Sequence, residues 1–347
     1  MLNWIVKMPV QDLNNVARLL VPPTKGILAS DESLETIEKR FESVGIENSQ
    51  ENRRAYRELL FSTSGLEEYI SGAILFDETI KDKDSSGKAF PQLLSEKGII
   101  PGIKVDTGKI DLPNHPGEKI TEGLDGLSER LKEYVSLGAK FTKWRAEINI
   151  GEQIPSLNCI MSNSEALARF AALSQEASLV PIVEPETMMK GEHDIDRARE
   201  VTASVLQNLF LKLKEHKVDF SGILLKINMV LPGDKCPDQT NPKIIATETI
   251  ELFKKFVPKE VPGIVFLSGG QTSVQATENL NAINQIKDAP WPLSFSFGRA
   301  LQDEALKVWV GNVSNKQVAQ KSFLKRAKLV SLARQGKYRK EMEHESI

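Results

Sequence analysis

Charged side chains stand in this sequence where buried apolar strands would normally carry none. Four short apolar runs hold polar residues two positions apart. These are Lys104 and Asp106 in Gly102-Ile-Lys-Val-Asp106, Lys143 and Arg145 in Phe141-Thr-Lys-Trp-Arg145, Glu184 and Glu186 in Pro181-Ile-Val-Glu-Pro-Glu186, and Lys226 and Asn228 in Leu224-Leu-Lys-Ile-Asn228. An i, i+2 spacing puts both side chains on one face of a strand, and Lys and Glu are rarely buried without partners. A single such residue reads as a solvated strand end. The same pairing in four runs reads as a site, in which three lysines and two glutamates partly neutralise one another. For Asp106 and Asn228 taken singly, hydrogen-bond support and a direct part in the chemistry are equally open.

A lysine amine is a nucleophile only when unprotonated, and nearby cations with apolar surroundings lower its pKa toward neutrality. A carbonyl substrate can then form a Schiff base with it. The resulting iminium draws electrons from the adjacent carbon, so a neighbouring C–C bond can break or form. Lys226, with apolar residues on both sides, is the candidate nucleophile. Lys143 and Lys104 supply the positive charge, Glu184 shuttles the protons, and Glu186 assists or orients.

Two further stretches suit an anion. Ser268-Gly269-Gly270-Gln271 and Ser296-Phe297-Gly298-Arg299 each follow an apolar run and lead into a helix. Glycines let backbone N–H groups approach a phosphate, and a helix N-terminus adds partial positive charge. Near the start of the chain, Asp31-Glu32-Ser33, followed by Thr36 and Lys39, opens a helix and reads by itself as an ordinary capped start. The four histidines show no ligand spacing, so neither a metal nor any other cofactor is expected.

Eight apolar runs must position these residues: 26–29, 70–76, 99–105, 141–148, 179–184, 222–229, 263–267 and 293–297. Helical periodicity fills the intervals over 126–137, 164–175, 195–215, 244–256, 274–283 and 300–310, with one more helix beyond Lys316. Strand and helix alternating eight times predicts a single (β/α)8 TIM barrel with flanking N- and C-terminal helices, spanning 1–347 as one domain with a flexible tail from 338. The interior face would then carry the charged pairs at the C-terminal mouth, with the last two loops placed as barrels place phosphate sites. No G-x-G-x-x-G or G-x-x-x-x-G-K-[ST] supports an open doubly wound sheet. The chain's 347 residues bury a core without staples. A net charge of −2 offers no global attraction for nucleic acid or membrane. Two cysteines and no leader-like start suggest a cytoplasmic protein.

The runs quoted above, together with Gly26-Ile-Leu-Ala-Ser-Asp-Glu-Ser33, Phe266-Leu-Ser-Gly-Gly-Gln271 and Phe295-Ser-Phe-Gly-Arg-Ala300, resemble class I fructose-bisphosphate aldolases. The likeness extends from about Lys25 to Tyr338 in the family's order, with Glu51-Asn-Arg-Arg54, Gly123-Leu-Asp-Gly-Leu-Ser-Glu-Arg130 and Asn279-Leu-Asn-Ala-Ile-Asn284 agreeing. It implies reversible cleavage of fructose 1,6-bisphosphate to dihydroxyacetone phosphate and glyceraldehyde 3-phosphate. By the same likeness Lys226 forms the Schiff base and Glu184 is the main acid and base, while Asp31, Lys143 and Glu186 assist. Ser268, Gly269, Ser296, Gly298 and Arg299 belong to one phosphate site. Ser33, Thr36 and Lys104 belong to the other, with Arg145 at the same mouth. A homotetramer is implied as well.

Departures from the family pattern are Ser221 where many members have Glu, Ile227 where many have Pro, Thr36 for a common Ser, and Asp77 where His is frequent. Animal-type members also end in a tyrosine that exchanges a proton. The last tyrosine here, Tyr338, matches the run before that tail, which leaves the step to water, Glu184 or another group. Two other readings compete: a Schiff-base aldolase for a different phosphorylated sugar, and a silent barrel scaffold.

Overall fold

The computed structural model describes residues 10–345, with side chains from Leu13 onward. Ten strands form: β1 (Gly26–Ser30), β2 (Ile70–Leu75), β3 (Ile100–Lys104), β4 (Gly108–Asp111), β5 (Lys119–Glu122), β6 (Phe141–Ile148), β7 (Val180–Thr187), β8 (Leu224–Ile227), β9 (Ile264–Phe266) and β10 (Leu293–Phe297). Eight of them close into a barrel in the order β1-β10-β9-β8-β7-β6-β3-β2, and every neighbouring pair is parallel. The expected TIM barrel is therefore present, and each of the eight apolar runs became a barrel strand. β7 continues past its expected end because β6 and β7 pair all the way to Ile148 and Thr187. β8 is shorter than expected, because residues 220–222 form a 3-10 turn capped by Asp219.

Several of the helices that coat the barrel begin on polar caps. Ser156 accepts from the Cys159 N–H to open Leu157–Glu176, and Asp194 does the same for Ile195–Glu215. Thr272 and Gln275 form a reciprocal capping box at Ser273–Gln285. Apolar periodicity also left some elements unread. The antiparallel β4–β5 hairpin follows β3, and Val10–Leu19, Gln50–Phe61, Asp77–Lys81 and Phe90–Glu96 are helical. No described helix is long and apolar enough to cross a membrane.

Leu13, Ala17, Leu20 and Val21, from the first helix and the turn after it, pack onto Ile27, Ile74, Phe141, Val180, Ile182, Leu224 and Val265 from the barrel interior. The segment thus plugs the N-terminal end of the barrel with a dry floor. Leu20 occupies the space that a side chain at Gly72 would need, and the Phe141 ring occupies the space at Gly102. At the other end of the chain, the expected loose tail is instead tied down as far as it is described. Arg326, buried in the helix Lys316–Arg334, donates to both Glu343 oxygens (2.8 and 2.7 Å) and to Glu304 (3.1 Å). Tyr338 donates its hydroxyl to Glu343 at 2.7 Å. A buried guanidinium needs carboxylates, and the tail supplies one.

A methyl group at residue 102 has nowhere to go, so Gly102→Ala is expected to cost about 1–3 kcal/mol of stability. Urea unfolding measures this; an unchanged midpoint would show that the floor can yield.

Candidate functional site

Strand alternation carries the charged residues onto the same inner face as the floor. Ile27 and Ala29 lead upward to Asp31, Phe141 to Lys143 and Arg145, Val180 and Ile182 to Glu184 and Glu186, and Leu224 to Lys226 and Asn228. The interior is thus apolar below and charged above. Lys226, Lys143 and Glu184 are only 4%, 3% and 3% exposed.

These residues meet in one chain of contacts. Glu184 turns one carboxylate oxygen to Lys226 Nζ at 2.9 Å and the other to Lys143 Nζ at 3.3 Å. Lys143 also donates to Asp31 at 2.7 Å. Two buried ammonium groups thus face two buried carboxylates, which is what makes their burial tolerable. The Glu184 oxygen beside Lys143 is close enough for attraction but has no aligned hydrogen bond. That oxygen is free to accept a proton or a hydroxyl. For Asp31, burial opposes the charged form, but Lys143 and Lys226 outweigh it and hold its pKa at about 2, against an ordinary 3.8. For Lys143, burial opposes the charge, and Asp31 and Glu184 overcome it to push the pKa upward.

A second network lies at the rim. Lys104 contacts the Asp106 carboxylate at 2.6 Å and the Asp106 carbonyl at 2.8 Å. The other Asp106 oxygen accepts the Arg145 backbone N–H at 3.2 Å. The Arg145 guanidinium grips Glu186 and lies 3.2 Å from Glu147. Asn228 accepts the Thr187 N–H at 2.9 Å, a supporting role.

The two glycine loops lie at the same end. A Cβ on Gly269 would sit 2.7 Å from Leu267 Cδ1 and 3.4 Å from both Glu186 Oε1 and Asn228 Nδ2, so glycine lets this loop approach the charged networks. The Ser268 carbonyl accepts from Gln271 Nε2 at 3.1 Å, and Asn279 holds the Gln271 side-chain carbonyl at 2.7 Å. The helix Arg299–Trp309 starts at Gly298 with no side-chain cap, leaving its first N–H groups open to an anion. Arg299 is exposed, and its guanidinium reaches the Gln271 carbonyl at 3.4 Å. The buried Ser296 hydroxyl has no partner.

Ser33 and Thr36 are less committed to the mouth. Ser33 caps the helix Leu34–Glu42 by accepting the Thr36 N–H at 3.3 Å, and the two hydroxyls lie 3.0 Å apart. Neither makes a hydrogen bond with Lys104 or Arg145 in the described residues. Lys39 points away and pairs with Glu35 in solvent. One residue further on, Arg40 was not singled out in the sequence, although it lies one turn beyond Thr36 on the same helix face. It grips Glu32, and Nη2 lies 3.8 Å from where a Gly298 Cβ would be. Glu32 also accepts from Arg57 at 2.7 Å and Gln302 at 3.0 Å. Glu147 was missed too, though it continues the i, i+2 series from Lys143 and Arg145. Of the departures, Thr36 keeps the hydroxyl, Ser221 bonds Asp219, and Asp77 accepts from Tyr134 at 2.8 Å. Among the described residues, no three His, Cys, Asp or Glu are grouped to hold a metal ion.

A closed barrel with a buried lysine against a carboxylate and glycine loops beside it has the form of a carbonyl-handling enzyme. Comparison with known proteins identifies the family. A model of class I fructose-bisphosphate aldolase matches residues 12–347. A probable fructose-bisphosphate aldolase class 1 from Xylella fastidiosa is 54% identical over 333 residues, covering 96% of this chain and all of that one. A cytosolic fructose-bisphosphate aldolase from Arabidopsis thaliana is 51% identical over 318 residues, covering 91% of this chain and 81% of that one. A solved fructose-bisphosphate aldolase from Plasmodium falciparum, in complex with TRAP and a small-molecule inhibitor, superposes with a TM-score of 0.94 at 45% identity, covering 98% and 99% of the two chains. The chain belongs to the class I fructose-bisphosphate aldolase family, aldehyde-lyases that work through a lysine Schiff base.

The Asp31 shift fixes a sign for acid stability. Its folded pKa, about 2, lies below the unfolded value, so its contribution is present above pH 4 and lost as the pH falls toward 2. The stability advantage of the native chain over Asp31→Asn should therefore shrink by on the order of 2 kcal/mol between pH 5 and pH 2. Urea unfolding across that range measures it; a difference that stays flat would place the Asp31 charge elsewhere.

Proposed function

We propose that Lys226 carries the imine in a reversible aldol cleavage of fructose 1,6-bisphosphate. What supports this is that Glu184 lies between Lys226 and Lys143, with 2.9 Å to the former, inside a barrel of this family. Glu184 takes the proton from the Lys226 ammonium, and the free amine adds to the C2 ketone. The carbinolamine hydroxyl then takes a proton back from Glu184 and leaves as water, giving the iminium. Loss of the C4 hydroxyl proton to Glu184 then breaks the C3–C4 bond. The bonding pair flows into the iminium, leaving an enamine and releasing glyceraldehyde 3-phosphate. Protonation at C3 and hydrolysis give dihydroxyacetone phosphate and restore the amine.

Lys143 stays charged between Asp31 and Glu184, where it stabilises negative charge on a departing oxygen. Asp31 stays ionised and orients Lys143, and Glu186 positions Arg145. Ser268, Gly269, Ser296, Gly298 and Arg299 hold the phosphate on the ketone side, a reading favoured by the open helix start and the exposed guanidinium. Ser33, Thr36, Lys104 and Arg145 hold the far phosphate once Lys104 and Arg145 exchange their carboxylate partners for it. In our reading the chain works as one barrel domain, assembles as a homotetramer, and resides in the cytosol, where free Cys159 and Cys236 would persist. Light scattering tests the assembly.

The decisive experiment is borohydride reduction with dihydroxyacetone phosphate in EDTA, followed by peptide mass mapping. The added mass should fall on Lys226, with turnover surviving EDTA. Lys226→Met should lose about 10³-fold or more in kcat and take up no label. A label on Lys143 or Lys104 would move the nucleophile, and no label with turnover lost in EDTA would overturn the mechanism.

A further inference from the structure

Outside the networks just described, a cavity of about 530 Å³ opens at the rim of the barrel between the β4–β5 hairpin and the loops after β6, β7 and β8. Lys109, Lys190 and Lys235 line it, with Glu147, Asn149 and Met188. The charges do not balance. Glu147 is the one carboxylate in the lining, and Lys109 and Arg145 both claim it. Among the described residues, Lys190 and Lys235 form no ion pair.

Backbone geometry holds the unpaired lysines together. The loop after β7 and the loop after β8 are laced by Asp234 N–H to the Met189 carbonyl (2.8 Å), Lys235 N–H to the Gly191 carbonyl (2.9 Å) and Gly233 N–H to the His193 carbonyl (2.8 Å). A side chain at Gly233 would collide with the Gly191 carbonyl, so the two loops cross as closely as backbones can. Asp234, the acid next to Lys235, gives its carboxylate to the Gly191 N–H at 2.8 Å, which takes it from either lysine. Lys190 and Lys235 thus bring two uncompensated ammonium groups to the hollow beside the paired Lys109, and like charges gathered there repel one another. A bound anion relieves that repulsion.

We infer that this hollow is a binding site for a small metabolite carrying two or more adjacent negative charges, separate from the substrate phosphate sites proposed above. Its volume falls in the range of small-molecule sites and exceeds what a lone inorganic ion fills. Ammonium groups on flexible stems suit phosphates or clustered carboxylates, which they contact as point charges. The site adjoins the rim network through Glu147, which Lys109 shares with Arg145.

The inference goes beyond the catalytic reading, and the test keeps the two apart. Pyrophosphate and tricarballylate are titrated separately by calorimetry, at physiological salt, into the full chain held in excess dihydroxyacetone phosphate to fill the substrate phosphate site. At least one anion should bind once per chain, and K190Q/K235Q should weaken that binding about tenfold or more. Whichever binds more tightly tells whether phosphate or carboxylate is preferred. The double variant should turn over fructose 1,6-bisphosphate as the native chain does, which shows it folded. Lys226→Met should bind the same anion as the native chain, so a failed imine assignment would leave this result standing. No heat with either anion, or equal affinity in the double variant, would overturn the site.

Discussion

Everything at the mouth of this barrel depends on the compensation of four charges within it. Lys226 and Lys143 share Glu184, and Lys143 also holds Asp31. Removing Glu184 would strand Lys226, and removing Lys143 would strand Asp31, and a stranded buried charge costs several kcal/mol. The four residues come from β6, β7 and β8 and from the residue just past β1, so the arrangement exists only once the sheet has closed. Closure in turn depends on the dry floor beneath, where the N-terminal helix seals the barrel, Gly72 makes room for Leu20 and Gly102 makes room for Phe141. Stability and chemistry thus occupy successive layers along the same strands.

The barrel solves a second problem by pairing its spare cations. Lys104 and Arg145 lie close to the inner lysines, and unpaired they would repel each other and those lysines. Asp106, Glu147 and Glu186 hold them. The Arg145 side chain keeps a third of its surface open to solvent, at 35% exposure, which neither inner lysine does. The inner quartet is the opposite case, buried and fixed, where exchange would be costly. The division follows depth: residues two positions apart on one strand, Lys143 and Arg145, belong to the fixed and the exchangeable class respectively.

Much of this was legible in the sequence, for definite reasons. A buried parallel strand must be apolar over several residues, so the β6 and β7 runs stood out, and a charge within such a run had to be answered by another. Family likeness added the order of the motifs and the substrate. What stayed hidden depended on contacts between distant segments. The β4–β5 hairpin is short, polar and largely exposed, with no apolar alternation to reveal it. Arg40 sits among ordinary helix-surface residues, and only the approach of Gly298 from the far end of the chain gives it a place at the mouth. The tail around Tyr338 reads as charged and loose until Arg326 is seen to be buried.

Glu184 shows why the lysine spacing had to be what it is. A carboxylate has two oxygens, and here each faces a different ammonium, one at 2.9 Å and one at 3.3 Å. If both were tightly bonded, the group would be a salt bridge and nothing more, because every lone pair aimed into the site would be occupied. The longer, unaligned contact to Lys143 leaves one oxygen attracted but not satisfied. Asp31 makes this possible by drawing the Lys143 ammonium toward itself at 2.7 Å. Asp31 thus keeps Lys143 from closing on Glu184, and leaves one carboxylate oxygen unsatisfied at the bottom of the mouth.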